Sequence, residues 1–229
     1  MTDDAEASAY LAGRGIDPVR VADLDAARAL PLDVRPSWTV HRPDEDRPAA
    51  PWADTGHRLL VPMFDASAVM RNVRARYLGA GPCGRKGSAR GSVAGLVFAC
   101  PLARQVLERG ARPSWWTDDA PAFRVIVAEG EIDFLTWATE ASDANEHAPA
   151  VIGIVSGSWT AELAARIPDG AEVVVRTHAD RGGVEYATKV LETLAPRIAA
   201  RRVVVRLAPH FAAVLEGGRT IVHVREAET

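Results

Sequence analysis

Two acidic side chains in the second half of the chain follow strand-like runs and lie next to glycines. Glu129 ends the run FRVIVAE, and His178 and Asp180 follow the run AEVVVRT. Carboxylate oxygens at strand ends are the ligands that Mg²⁺ prefers, with water and phosphate completing its coordination. Gly130 and Gly183, which follow the two motifs, allow the backbone to approach a ligand closely. These residue types predict a divalent-cation site that handles phosphate groups.

The elements that must position these side chains form an α/β pattern. Four runs rich in β-branched residues, FRVIVAEG, AVIGIVSG, AEVVVRTHAD and RRVVVRLAP, alternate with segments that have helical spacing of their apolar residues. This alternation predicts a four-stranded, mostly parallel sheet that helices cover on both faces. Ligands of such sheets gather beyond the carboxyl ends of the strands, so we expect Glu129 and Asp180 at one edge.

The first part of the chain lacks this regular alternation of strands and helices, and we place a domain boundary after Ala122. Residues 3–30 predict two short helices. The stretch RLLVPMFDASAVMRNVRARYL predicts a β-hairpin that turns at Asp65, and LVFACP predicts one more strand. Residues 1–122 are therefore expected to form a smaller mixed α+β subdomain, and residues 123–229 the α/β domain.

Positive charge is concentrated between residues 71 and 90. This stretch holds six positive side chains and no acid, in a chain whose net charge is −3. A charged surface segment is often only solvated. Here the neighbouring glycines expose backbone N–H groups, which favours binding of phosphate or nucleic acid. The candidates are Arg71, Arg74 and Arg76 on the hairpin and Arg85, Lys86 and Arg90 in the glycine-rich loop.

Composition excludes several classes of protein. The chain is 48% hydrophobic and 25% charged, which is typical of an ordinary globular protein and not of a disordered one. Its acidic N-terminus lacks the apolar core of a signal peptide, and no apolar run approaches the ~18 residues of a membrane span. We therefore expect a cytoplasmic protein with no membrane partner.

The acidic motifs resemble the Toprim domain that topoisomerases and primases share, and most closely that of phage primase–helicases and bacterial replicative primases. In that family one strand ends in Glu-Gly, a middle strand in a glycine turn, and a later strand in Asp-x-Asp followed by glycine. Glu129, Gly157, Asp180 and Gly183 match these positions within EGEID, VIGIVSGSW and HADRGG. Upstream, YLAGRGI and LLVPMFDASAVMRNVRAR are similar to the opening and the basic hairpin of the primase core.

This resemblance implies a metal-dependent nucleotidyltransferase that makes short RNA primers on single-stranded DNA, in the replication of a phage, plasmid or other mobile element. By analogy, Glu129 would hold Mg²⁺ or Mn²⁺ or act as an acid or base, and Asp180 with His178 would hold metal that carries nucleotide phosphates. The basic N-terminal part would grip the template and the nucleoside triphosphates. A helicase or a separate zinc-binding module is the expected protein partner.

One position departs from the family pattern, because His178 stands where the family has the first Asp of Asp-x-Asp. An imidazole offers one nitrogen where Asp offers a charge and two hard oxygens, so Mg²⁺ should be held less well and Mn²⁺ tolerated better. Two alternatives stay open. One is a catalytically degenerate Toprim protein that binds nucleic acid or a replication partner, and the other is a Toprim nuclease that uses the same carboxylates.

Each ionisable residue also has a plain structural alternative. Glu129 and Asp180 could cap the helices that follow them. His178 could be a hydrogen-bonded residue at a strand end, and Asp133 is as well placed to pair with the helix dipole as to bind a ligand. Glu131, His210 and His223 are expected at the surface, exposed to solvent.

Overall fold

Two β-sheets organise the protein, one of four strands and one of five. The structure is a computed structural model, and it describes residues 4–35, 40–41, 50–79, 87–89, 92–117, 119–142, 147–155, 157–216 and 219–225. None of the described helices combines the length and the apolar character that a membrane-spanning segment requires.

Two short helices open the chain, as the sequence predicts. Helix α1 (Ala5–Ala12) begins after Asp4, whose side chain accepts a hydrogen bond from a backbone N–H three residues further on. Helix α2 (Pro18–Asp23) begins after Asp17, which caps it in a similar way, and its first residue is a proline. Capping acids and a first-position proline are ordinary helix-start residues, so local sequence accounts for both elements.

The predicted β-hairpin is present at the centre of the four-stranded sheet. Strand β1 (Arg28–Ala29) is followed by the short elements β2 (Val40–His41), β3 (Ala50–Pro51) and α3 (Trp52–Thr55). Strands β4 (His57–Phe64) and β5 (Met70–Tyr77) then pair antiparallel on either side of the turn that starts at Asp65. Strand β6 (Gly87–Ser88) completes the sheet, whose order is β1-β4-β5-β6.

The second sheet contains the four predicted strands and one more. Strand β7 (Phe98–Ala99) lies at the edge and pairs antiparallel with β9 (Ala150–Ile154). Strands β8 (Arg124–Glu129), β9, β10 (Ala171–Arg176) and β11 (Val203–Leu207) are parallel, and the full order is β11-β10-β8-β9-β7. The predicted count of four is one strand short, because the sheet recruits the LVFACP run from before the predicted domain boundary.

Helices flank this sheet but leave part of one face open, contrary to the prediction. Buried and less buried residues alternate along β10 and β11, and Val204 is 57% exposed. Arg206 forms an ion pair with Glu172, and Arg176 lies over the ring of Trp137. Long charged side chains therefore cover part of this face, together with Trp137. The helices are α4 (Pro101–Arg109), α5 (Gly130–Ser142), α6 (Ala161–Arg166) and α7 (Arg181–Ala199).

A C-terminal β-hairpin follows the sheet, and the sequence pattern does not predict it. Strands β12 (Phe211–Glu216) and β13 (Arg219–Val224) pair antiparallel, and β13 packs against α7. Phe211 and Val222 are buried there. The hairpin thus covers part of α7, the helix that begins at the candidate site.

One apolar core runs through both parts of the chain. Met63 of the hairpin and Phe134 of α5 belong to the same buried cluster. Between the two parts, Trp116 is buried and packs edge-on against Phe123, with 4.9 Å between ring centroids. The apolar core is continuous across the predicted domain boundary after Ala122 and so does not mark it. That boundary stays a prediction.

Candidate active site

Glu129 and Asp180 lie close together at the carboxyl edge of the parallel sheet. Glu129 is the last residue of β8, and Asp180 follows the neighbouring strand β10 and immediately precedes α7. A Cβ atom placed on Gly182 would lie 3.3 Å from Oδ1 of Asp180 and 4.0 Å from Oε1 of Glu129. The two carboxylates therefore both lie beside Gly182, and the absence of a side chain at residue 182 leaves them uncrowded.

Asp180 is the N-cap of α7. Its Oδ1 accepts a hydrogen bond from the backbone N–H of Gly183 at 2.8 Å, so the structural alternative predicted for this residue is present. A Cβ atom at Gly183 would overlap the carbonyl oxygen of His178, and only glycine fits there. The second carboxylate oxygen of Asp180 makes no hydrogen bond with a described residue. Asp180 can therefore cap α7 through Oδ1 and still offer its other carboxylate oxygen to a ligand.

A hydrogen bond across the sheet fixes the Glu129 carboxylate. Its Oε2 accepts the backbone N–H of His178 at 2.9 Å, and the side chain is only 16% exposed. Gly130 and Gly157 follow the ends of β8 and β9 with φ angles of +79° and +71°, in the left-handed region that glycine tolerates. Glu129 is therefore held by the neighbouring strand end and does not need a capping role to be fixed.

The imidazole of His178 lies between two carboxylates. Its Nε2 is 2.8 Å from Oδ2 of Asp133, and its Nδ1 is 3.5 Å from Oε1 of Glu129. A carboxylate only accepts hydrogen bonds, so the shorter distance places a proton on Nε2. His178 is a hydrogen-bonded residue at a strand end, as its structural alternative predicts, and Asp133 is its partner.

The donors at this edge suit a cation that is bound mainly through oxygen. Among the described residues, no group of three or more His, Cys, Asp and Glu side chains forms a ready-made metal cage. Glu129 and Asp180 nevertheless present two hard carboxylates beside Gly182. Mg²⁺ is usually bound in this manner, by one or two carboxylates with water and phosphate completing its shell. Participation of His178 in such a site stays a prediction.

A buried ion pair joins the acidic edge to the basic hairpin. Glu131, the second residue of α5, is fully buried, and Nη1 of Arg76 donates to its Oε1 at 2.7 Å. Nε of Arg74 lies 3.7 Å from Oε2. The expectation that Glu131 is solvated is wrong, because two arginines of β5 cover it.

The predicted phosphate-binding residues have different surroundings. Burial lowers the pKa of Arg76, but its hydrogen bond to Glu131 and the charge of that carboxylate outweigh burial, so the pKa lies above its ordinary value. Arg71 forms an exposed ion pair with Asp65 at 2.7 Å, beside the hairpin turn. Phosphate binding by these arginines stays a prediction. Arg85, Lys86 and Arg90 lie outside the described residues.

Sequence reasoning missed the residues that support the turn between β10 and α7. Oγ1 of the buried Thr177 donates to the carbonyl oxygen of Gly183 at 2.8 Å. Nε2 of His210 lies 2.9 Å from the carbonyl oxygen of Thr177, so His210 is not the unpartnered surface residue that we expected. The polar Thr177 between an apolar strand and the HAD motif is the one sequence feature that hints at this support.

Comparison with solved structures identifies the architecture. The catalytic domain of DnaG primase bound to single-stranded DNA matches with 17% identity and a TM-score of 0.56, over 90% of this chain and 66% of that one. The E. coli primase catalytic core matches with 17% identity and a TM-score of 0.56, over 89% of this chain and 65% of that one. This chain has the fold of a primase catalytic core.

The primase-core fold recurs in a primase domain from Pseudomonas aeruginosa, with 14% identity, a TM-score of 0.55, and coverage of 89% of this chain and 64% of that one. The chain thus spans slightly less than two thirds of these chains. No protein-family profile and no curated protein sequence matches it. At these identities the likeness establishes the fold alone, and it confirms at that level the resemblance that the motifs indicate.

Proposed function

We propose that this chain is the core of a primase-type nucleotidyltransferase, which makes short RNA primers on single-stranded DNA with the help of a divalent cation. The observation that carries this proposal is the meeting of Glu129 and Asp180 around Gly182. They meet at the edge of the sheet where open α/β folds bind their ligands. The primase-core fold supports the same function, and one of the similar structures contains single-stranded DNA.

In this proposal the acidic and basic residues have different roles in phosphoryl transfer. A bound Mg²⁺ or Mn²⁺ would neutralise charge on the transferred phosphate. Glu129 and Asp180 would hold that cation through carboxylate oxygens, and the backbone N–H of His178 keeps the Glu129 carboxylate oriented. Arg74 and Arg76 would bind phosphates of the template or of the nucleoside triphosphate through charge-assisted hydrogen bonds. Catalysis would then consist mostly of positioning and charge stabilisation.

The wider setting is proposed on the resemblance of the motifs. The protein would act in the cytoplasm, in the replication of a phage, plasmid or other mobile element. A helicase or a separate zinc-binding module would bring the core to its template. Arg71, Arg85, Lys86 and Arg90 would extend the nucleic-acid contact along the hairpin and the glycine-rich loop.

A primer-synthesis assay tests this function. Purified protein is incubated with single-stranded template, labelled ribonucleotides and either Mg²⁺ or Mn²⁺. We expect short RNA products, more abundant with Mn²⁺, and we expect Glu129→Gln to abolish them. Glu185→Gln is the matched control, since Glu185 is exposed on α7 and its only ion pair with a described residue is the local one to Arg181. Products that persist in Glu129→Gln would contradict the proposal.

A catalytically degenerate module that binds nucleic acid or a replication partner is the second candidate. The observation that favours it is the imidazole of His178, which is hydrogen-bonded to Asp133 at the position where the family has an Asp ligand. DNA binding without any product, with either cation, would support this candidate. Degradation of the template in the same assay would indicate a Toprim nuclease.

A further inference from the structure

Glu131 is a buried acid that contacts two arginines from the other sheet. Its side chain is 1% exposed, and it lies 2.7 Å from Nη1 of Arg76 and 3.7 Å from Nε of Arg74. The two arginine side chains are themselves 20% and 23% exposed, so both reach the surface in part. A buried carboxylate thus fixes two partly exposed cations at the start of α5, two residues from Glu129.

Positive charge exceeds negative charge in this group. Arg14 lies over the ring of Tyr10 at 4.8 Å, and Arg76 approaches the same ring at 5.8 Å. Arg74 and Arg76 therefore share a single carboxylate, that of Glu131, while Arg14 contacts only the ring of Tyr10 that Arg76 also approaches. Nε of Arg74 is buried and has no hydrogen-bond acceptor among the described residues. This Nε faces Oε2 of Glu131 at 3.7 Å, so the carboxylate balances one of the two guanidinium charges, and the other is left to attract an anion.

We propose that Glu131 is a positioning residue, which orients Arg74 and Arg76 so that they bind phosphate together. The phosphate belongs either to the backbone of a single strand or to the polyphosphate of a nucleotide, and the chemistry is the same. The planar fork of a guanidinium matches phosphate oxygens only when it is correctly oriented. The inference rests on the proposed function for the choice of phosphate as the anion.

Removing the Glu131 charge should change phosphate affinity in opposite directions, depending on whether charge or arginine orientation dominates. Neutralising an acid beside an anion site makes the local potential more positive, so charge alone predicts tighter phosphate binding. When Glu131 orients the arginines, its loss releases Arg76 from its fixed geometry, and binding weakens although the site becomes more positive. The sign of the change therefore separates the two explanations.

Two probes in EDTA measure phosphate binding without any cation. A fluorescein-labelled single-stranded oligonucleotide is followed by anisotropy, and inorganic tripolyphosphate by calorimetry. For Glu131→Gln we expect about tenfold weaker binding, the order expected for loss of a charge-assisted hydrogen bond. Glu131→Asp keeps the charge but shortens the side chain, and it should also weaken binding. If only oligonucleotide binding weakens, the phosphate belongs to a strand backbone. If only tripolyphosphate binding weakens, it belongs to a nucleotide.

Glu140→Gln is the matched control, because Glu140 is exposed near the other end of the same helix. It removes the same charge and should bind both probes as tightly as the wild type. Thermal melts accompany each measurement, since a purely structural role of Glu131 would lower the melting temperature and leave the affinity of the folded protein unchanged. If the Glu131 variants do not fold, Arg76→Lys replaces them, as it keeps the charge but loses the fork, and it should weaken binding likewise.

Unchanged or tighter binding in Glu131→Gln overturns the inference, and so does a wild-type protein that binds neither probe. The inference is also overturned if the Arg76→Lys variant binds both probes as tightly as the wild type. Primer synthesis is not measured in this experiment. A protein that shows the expected loss of binding but makes no primers would refute the proposed function and support the role of Glu131.

Discussion

Oε2 of Glu129 accepts a hydrogen bond from the backbone N–H of His178 at 2.9 Å, which joins the ends of two neighbouring parallel strands. The donor is a backbone group, so it is retained whatever side chain residue 178 carries. Variants of His178 therefore test the imidazole alone and leave the anchor of the Glu129 carboxylate in place. The strand pairing, and not the motif sequence, is what brings the two acidic motifs together.

The turn between His178 and α7 should tolerate no side chain at Gly183. In Gly183→Ala the new methyl group meets the carbonyl oxygen of His178, a backbone atom that cannot rotate away. We expect the free energy of unfolding to fall by about 3 kcal/mol, the upper end for overpacking. Urea denaturation measures the loss.

Gly157→Ala is the control for that experiment. Gly157 has a φ of +71°, but apart from its two chain neighbours no atom of a described residue lies within 4 Å of an added Cβ. Only the strain of the left-handed backbone is expected, about 1–2 kcal/mol. Losses of equal size in the two variants would contradict the close approach at Gly183.

The capping and ligand roles of Asp180 can be separated by two substitutions. Asp180→Asn keeps an oxygen that accepts the N–H of Gly183, so stability should change by less than about 0.5 kcal/mol. Asp180→Ala removes the cap and should lower stability by about 1 kcal/mol. Both remove the carboxylate, so both should abolish primer synthesis. Synthesis that survives in Asp180→Asn would show that Asp180 serves as a cap only.

The edge where Glu129 and Asp180 meet follows from local sequence patterns. Runs of β-branched residues predict the parallel strands, and parallel strands place their carboxyl ends on one side. The cap at Asp180 and the close approach at Gly183 are also local, because each depends on residues within five positions. These features need no knowledge of tertiary contacts. The sequence predicts the strand edge and the cap at Asp180, but at Gly183 it predicts a close approach to a ligand, whereas the contact is with the carbonyl oxygen of His178.

Features that depend on distant contacts could not be predicted. Glu131 is buried because Arg76, 55 positions earlier, packs against it. His210 has a partner because Thr177, 33 positions earlier, lies beside it. The polarity of a side chain alone predicts exposure for both residues, and tertiary packing reverses that prediction. Val204 of β11 is likewise 57% exposed, although the apolar character of its strand predicts burial.

Asp169 should make stability depend on acid pH. The hydrogen bond from Arg202, and then that from Arg197, lowers the pKa of Asp169 below its ordinary value of 3.8. Because the unfolded chain binds this proton more tightly, the stabilising contribution is full above 3.8 and is lost as the pH falls through the folded-state pKa. The ion pairs are exposed, so the contribution is small and should shrink in high salt.

Asp169→Asn removes this contribution. We expect a lower melting temperature than that of the wild type at neutral pH and a flatter decline in acid, measured as melting temperature against pH. Asp23→Asn, an exposed acid on α2 without an ion pair to a described residue, is the control. Parallel curves for wild type and Asp169→Asn would show that the two arginines do not stabilise the charged form.

His178→Asp tests whether the imidazole is a degraded metal ligand. It restores the Asp-x-Asp pattern with Asp180 and puts a further carboxylate beside Glu129 and Asp133. Like charges repel when no cation is present, so the melting temperature in EDTA should fall below that of the wild type. Mg²⁺ should then raise it by more than it raises the wild type, since ligand binding stabilises the folded state. Mg²⁺-dependent primer synthesis should rise as well.

His223→Asp makes the same exchange at an exposed position of β13, and it should show neither effect. A Mg²⁺-induced rise in melting temperature together with lost primer synthesis in His178→Asp would mean that a cation binds but the imidazole has a task of its own. No rise with Mg²⁺ would instead mean that residue 178 does not face the cation. In that case the hydrogen bond of His178 to Asp133 is structural.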